Sequence, residues 1–301
     1  MHGQGRRIRL AFWSFLSFLA AVGLLAAGTA WAGQAFAYLL LTGNGPSARG
    51  VLMDPARLSV LAYVPALTNE TGGTHGITIT PDGKSIYAGH AFKPWVEKID
   101  IITQRSLKRI TWDGKASCGL KISPDGKSLY VGGRVDPFVV KIDLATDKVV
   151  GKIRLEKQAH KMNFSPDGKW LYVAGGTSDK IHVVDVARGK AVKAIPVGKV
   201  PHGALPTPDG KKLYVTVRGE NVLKVVDLKT DKVVETIKVP VVGTKKGLCG
   251  LNASPDWRIL YVGETFAATI HVMDLKSRKF VDRIDVGGFE VHEPQVHRLV
   301  R

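Results

Sequence analysis

The chain of 301 residues is short of thiols and of acids. Its two cysteines, Cys118 and Cys249, exclude a disulfide-rich scaffold. They also exclude a four-thiolate zinc site or an iron–sulfur cluster built from this chain alone. No Cys-x-x-Cys-His stretch occurs, so no c-type haem is attached to it. A G-x-S-x-G elbow and a P-loop are both absent. Acids number 26 against 43 Lys and Arg, a formal net charge of +17. A hydrophobic fraction of 45% excludes wholesale disorder. Gly and Pro make up about 16%, far from collagen or low complexity.

Residues 1–32 differ from the rest. Arg6, Arg7 and Arg9 precede an apolar run from Ala11 to Gly28, and Ala30-Trp31-Ala32 supplies small residues at a break. A basic start, an apolar stretch and an A-x-A site read as a secretory signal peptide. The run almost suffices to span a bilayer, so an uncleaved membrane anchor is the alternative, with membrane association through residues 10–32. Either form routes residues 33–301 to the periplasm or another extracytoplasmic space. Without this segment 40 basic residues still face 26 acids, so the basic character belongs to the remaining domain.

That domain is a repeat. Tetrapeptides of the form S/T-P-D-G begin at Thr80, Ser123, Ser165 and Thr207, and Ser254 opens a fifth ending in Trp257. The spacings are 43, 42, 42 and 47. After each comes a short strand such as SLYVG or WLYVA, then one ending in Asp such as VVKID or IHVVD, a charged turn, and a last alternating strand. Pro fixes φ in the turn and Gly tolerates positive φ. Val, Ile and Tyr at period two give half-buried strands. Four strands per repeat with no helical periodicity mark a propeller blade.

The S/T-P-D-G-K-x-L/I-Y-V core with its V-x-D-L-x-T-x-K-V continuation resembles the YVTN-type β-propeller repeat over about residues 74–286. Related propellers occur in cytochrome d1-like proteins, amine dehydrogenase heavy chains and lactonase-like proteins. The resemblance implies fold rather than function, because such repeats host several activities. Six Asp-terminated strands, counting the one ending at Asp54, lead to an all-β fold of six four-stranded blades. The stretch after Tyr38 would supply strands two to four of the sixth blade, and residues 291–300 its first strand, so that the two ends pair and close the ring.

One position recurs ahead of each innermost strand: His75, Cys118, His160, His202, Cys249 and His292. In propellers of the type it resembles, this position opens on the channel mouth that binds ligands. Three readings stand. The residues are inherited repeat positions; or they ligate a transition metal, copper foremost, with zinc and haem iron as alternatives; or Cys118 and Cys249 form a disulfide. His182 and His271 occupy equivalent strand places and read as repeat residues, and Glu264, Glu290 and Glu293 as rim carboxylates. Loops on the same face bring Lys93, Trp95, Arg134 and Arg218 as candidate cofactor-binding groups. Lys157, Lys161, Lys245 and Lys246 add charge. The expected partner is an acidic redox protein or a subunit of a membrane complex. No aromatic-interleaved basic groove is evident, which sets nucleic acid aside. The expected role is a binding module whose mouth holds a metal or metallocofactor or docks a redox partner. The alternatives are a propeller oxidoreductase or lactonase-like enzyme using the same mouth, and a protein-interaction scaffold.

Overall fold

The computed structural model describes residues 38–42, 50–54, 59–64, 74–101, 103, 105–286 and 294–298, with side chains from 74 to 286. The expected signal or anchor and the candidate ligand His292 lie outside the described residues. Among those described, no helix is long and apolar enough to cross a membrane.

The chain enters through β1 (Tyr38–Thr42), β2 (Gly50–Asp54) and β3 (Ser59–Val64). Five four-stranded antiparallel blades follow. Blade one holds β4 (Thr74–Ile79), β5 (Ser85–His90), β6 (Trp95–Asp100) and β7 (Ser106–Thr111). Blade two holds β8 (Leu120–Ile122), β9 (Ser128–Gly132), β10 (Phe138–Asp143) and β11 (Lys148–Arg154). Blade three holds β12 (Met162–Phe164), β13 (Trp170–Ala174), β14 (Lys180–Asp185) and β15 (Lys190–Pro196), with a 3-10 turn at Gly176–Ser178. Blade four holds β16 (Pro201–Pro206), β17 (Lys212–Val217), β18 (Val222–Asp227) and β19 (Lys232–Lys238). Blade five holds β20 (Leu248–Ala253), β21 (Ile259–Glu264), β22 (Thr269–Asp274) and β23 (Lys279–Asp285). The last strand is β24 (Pro294–Arg298).

The expectation of six four-stranded blades is corrected to five. The terminal strands form two separate two-stranded sheets, β1 with β24 and β2 with β3. Tyr38 pairs with Arg298 and Thr42 with Pro294. The other blades join their first two strands through a short S/T-P-D-x turn that fixes register. A blade assembled from the two chain ends has no such turn, and its register must be set across the whole length of the ring.

Each complete blade is buried at its second strand and exposed at its fourth. β5 is buried throughout, whereas β7 and β19 face solvent over most of their length. Apolar residues from neighbouring blades interdigitate. Val183 and Ile195 of blade three pack with Ala204 and Leu213 of blade four, and Leu223 and Val225 with Leu251 and Leu260 of blade five. Non-directional burial of these Val, Leu and Ile side chains stacks blade on blade.

The turns explain the tetrapeptide. Ser123 Oγ donates to Asp125 Oδ1 at 2.5 Å and accepts the amide of Ser128 at 3.0 Å. Asp125 in turn accepts the amide of Lys127 at 3.0 Å. Gly126 stands at φ 71°, and Trp257 occupies the matching place in the fifth turn at φ 55°. The Ser123 hydroxyl and the Lys127 amide hold the Asp125 carboxyl below its ordinary range. The same happens at Asp82, Asp167, Asp209 and Asp256, first through the Thr80, Ser165, Thr207 and Ser254 hydroxyls. A depressed folded-state pKa gives stability that is present above the unfolded carboxylate value, about 3.9, and lost as pH falls through the folded value. Ser123→Ala should therefore lower the melting temperature at pH 7 by about 2–4 °C. Thermal melts at pH 7 and pH 2.5 check this, and the gap between variant and parent should shrink at the lower pH.

Candidate functional site

A strand that must aim one side chain off its regular alternation needs an extra residue, and three blades supply one. In β4, Thr74 pairs with His90 and Gly76 with Gly89, so His75 is the inserted residue. In β16, Pro201 pairs with Val217 and Gly203 with Thr216, leaving His202 over. In β20, Cys249 and Gly250 share one place between Leu248 and Leu251. Such bulges bend the strand and re-aim the side chain. Cys118 and His160 sit just ahead of the short strands β8 and β12, where Cys118 N donates to Gly132 O at 2.8 Å and His160 N to Ala174 O at 2.9 Å.

The residue after the recurring position is Gly76, Gly119, Gly203 or Gly250 in four of these blades and Lys161 in the third. A Cβ on Gly119 would come within 2.7 Å of Lys161 Cα and 2.9 Å of the His160 carbonyl. The glycines let successive inner strands approach backbone to backbone, and this sets the spacing of the side chains beside them.

Four side chains then fall into a row. Cys118 Sγ lies 3.6 Å from His160 Nδ1, and Cys249 Sγ lies 3.3 Å from His202 Nδ1. The two imidazoles meet in the middle, with ring centroids 4.5 Å apart and planes inclined at 53°. Cys118, His202 and Cys249 are buried, while His160 is partly open. His160 Nε2 donates to Gln158 Oε1 at 3.4 Å, which leaves Nδ1 as the acceptor facing Cys118. No disulfide joins the cysteines. Among the described residues, no three His, Cys, Asp or Glu side chains converge as they stand to hold a metal ion. The row offers its donors as two pairs.

Lys161 is 1% exposed, and its Nζ donates to the His75 carbonyl at 2.6 Å, joining blade three to blade one. Burial pushes the Cys118 thiol up to about 11, against the pull of Lys161 and Arg134. Burial first, then His202, Lys161, Arg218 and Arg134, hold His160 well below its ordinary value. His202 is lowered chiefly by burial, against the raising influence of Cys249. Burial thus favours the neutral thiol at Cys118 and the neutral imidazoles at His160 and His202, with Lys161, Arg134 and Arg218 as the cations that act on them.

The rim is cationic and aromatic. Arg134, at φ 50°, donates to the Ala91 carbonyl and lies 4.7 Å over the ring of Phe92. Arg218 Nε donates to Lys246 O at 3.3 Å, with its guanidinium 5.1 Å over Phe266. Phe92 and Phe266 are exposed, as are Lys93, Lys157, Lys245 and Lys246. Trp95 sits elsewhere. It is buried against His90 at 4.6 Å and covered by Arg109 at 4.2 Å, because the first residue of β6 points into the sheet. His182 bonds Ser178 at 3.2 Å, and buried His271 bonds buried Glu264 at 2.8 Å. Glu264 also accepts the amides of Val242 and Gly243, each at 2.9 Å, so it anchors the loop before β20. The Lys161 bridge, Gln158 and the two exposed phenylalanines are not singled out by sequence reasoning. Lysine in the glycine place is the signal that marks the first.

A family model described as YNCE-like beta-propeller matches residues 80–210. No curated protein matches the chain. Among solved structures, Kuenenia stuttgartiensis hydrazine synthase superposes with a TM-score of 0.63 at 22% identity, over 79% of this chain and 80% of that one. At that identity the likeness speaks for the fold.

The close approach at Gly119 is testable. Gly119→Ala should cost about 1–3 kcal/mol through forced backbone shifts. Gly151→Ala in β11, where an added Cβ meets nothing within 4 Å, should be neutral or stabilising by about 0.5 kcal/mol. Denaturant titration of both variants decides.

Proposed function

We propose that this β-propeller protein of the YVTN repeat type is an extracytoplasmic binding module whose cationic mouth docks an acidic redox protein. The observation that carries the reading is the pair of arginines fixed over exposed aromatics, Arg134 on Phe92 and Arg218 on Phe266. Each guanidinium is held by a backbone carbonyl and by a ring face, so it loses little side-chain entropy when a carboxylate arrives. Exposed Phe92 and Phe266 supply the apolar anchors that such surfaces use, and the surrounding lysines supply long-range attraction. The basic N-terminal segment with its A-x-A site supports placement outside the cytoplasm.

The opposite face distinguishes this reading from general stickiness of a basic protein. The turn lysines Lys84, Lys127 and Lys169 lie in the S/T-P-D-G-K turns, at the far ends of the inner strands from the recurring His and Cys. There Lys84 and Lys127 follow aspartates whose carboxylates accept their amides. Zero-length carbodiimide coupling of lysines to partner carboxylates, done in the periplasmic fraction and mapped by mass spectrometry, is the test. Cross-links should fall on Lys93, Lys157, Lys245 and Lys246. Arg134→Glu with Arg218→Glu should cut the association rate with the coupled partner at least about tenfold at low salt, with little effect at 0.5 M salt. Cross-links concentrated on Lys84, Lys127 and Lys169 would refute the reading.

A further inference from the structure

We infer that an open cavity at the far ends of β8, β12 and β16 from the His/Cys row binds a small aromatic carboxylate. The cavity measures about 380 Å³, and blades two to five all contribute to it. Pro124, Pro166, Pro208 and Trp257 give it apolar rings, and Lys121 and Asn163 give it polar groups. That size and that mixture are those of a small-molecule site, mostly apolar with a few polar groups to orient the ligand.

Trp257 is the observation that points to a ligand. The S/T-P-D-G turns gather at this end, and each glycine stands near the proline of the preceding turn. A Cβ on Gly126 would lie 3.2 Å from Pro81 Cγ, and one on Gly168 would lie 3.4 Å from Pro124 Cγ. These glycines hold φ near 70°, where a side chain is disfavoured. The fifth turn keeps the same backbone, at φ 55°, yet places the largest side chain there. The repeat shows that glycine suffices for the turn, so folding alone does not call for an indole in a strained place. Such local departures from a fold's own rule mark functional positions. The indole is partly buried and shares the cavity wall with Pro208, the proline of the preceding turn.

The polar groups set the charge of the ligand. Among the described residues that line the cavity, Lys121 alone is charged. It occupies the strand place that holds Asn163 in blade three and Leu205 in blade four, each opposite the tyrosine of its blade. Asn163 is 6% exposed, and its Nδ2 donates to the Ala204 carbonyl at 2.6 Å, which fixes the plane of the amide. The aspartates of the nearby turns are engaged by their own hydroxyls and amides. A flat apolar body fits between indole and proline rings, and a carboxylate on it meets the Lys121 ammonium in a charge-assisted hydrogen bond.

The test uses the full chain and isothermal titration calorimetry with 2-naphthoate, against 2-naphthamide as its neutral counterpart. Expected is one saturable site per chain that prefers the carboxylate at least about tenfold. Trp257→Gly, which restores the repeat residue, should weaken both compounds at least about tenfold. Lys121→Met should bring naphthoate down to the affinity of the amide and leave the amide unchanged. Lys229→Met, an exposed turn lysine outside the cavity, should change neither. Unchanged far-ultraviolet dichroism shows that the variants fold, and if Trp257→Gly does not, Trp257→Leu and Lys121→Met carry the test. No saturable binding to the parent chain, or undiminished binding to the Trp257 variant, overturns the site. Equal losses for acid and amide in Lys121→Met overturn the ion pair. All readouts come from the isolated chain, so they stand whether or not a partner docks at the cationic mouth.

Discussion

The arrangement depends on how closely the inner strands of neighbouring blades approach one another. Side chains would hold them apart; glycines at 76, 119 and 203 let carbonyl meet backbone instead. At Gly203 the approach is reinforced, since Thr216 links its amide to the Cys249 carbonyl of the next blade. Once the inner strands are this near, the side chain one residue earlier has few directions left. The bulges at His75, His202 and Cys249 choose among them. The side-chain distances in the row thus follow from a backbone constraint, and the apolar layers between blades hold that constraint in place.

Burial and charge then act in opposite directions on the same groups. Burial raises the Cys118 thiol and lowers both imidazoles, which favours the neutral form of each. The nearby cations lower the thiol and add to the lowering of the imidazoles. The sum is a pair of imidazoles kept neutral beside cations that favour negative charge. A rim whose guanidiniums are fixed over aromatic rings extends that disposition to the surface. The overall excess of Lys and Arg has little to do with it. Much of that excess sits in turns such as Asp125–Lys127, where the lysine amide serves the aspartate and the ammonium faces solvent.

Much of this was legible in the residues because a repeat writes its local rules many times. The S/T-P-D-x turns, the Tyr-Val strands and the His/Cys position each follow from short-range chemistry, and the five complete blades match them. What failed was long-range. Six blades were expected because a sixth Asp-terminated strand ends at Asp54, yet β2 pairs with β3 alone and β1 with β24. No local turn chemistry joins those pieces, so no local pattern could announce how they pair. Trp95 was read as a rim group from its loop neighbours. One step along the strand alternation turns it inward onto His90 instead.

Among the described residues the recurring positions are not equivalent, and Lys161 marks the difference. Six-fold recurrence invites the view that His75, Cys118, His160, His202 and Cys249 are equivalent. Lys161 breaks the equivalence because it replaces a glycine. Its side chain crosses from blade three and ends on the carbonyl of His75, the blade-one member of the same series. Blade one therefore contributes a backbone acceptor for an ammonium, while blades two to five contribute the sulfur and imidazole row. The crossing also accounts for the cation beside Cys118, since Lys161 passes Gly119 on its way. A single substitution in a repeat thus has two consequences. It ties blade three to blade one, and it places a cation beside Cys118, His160 and His202.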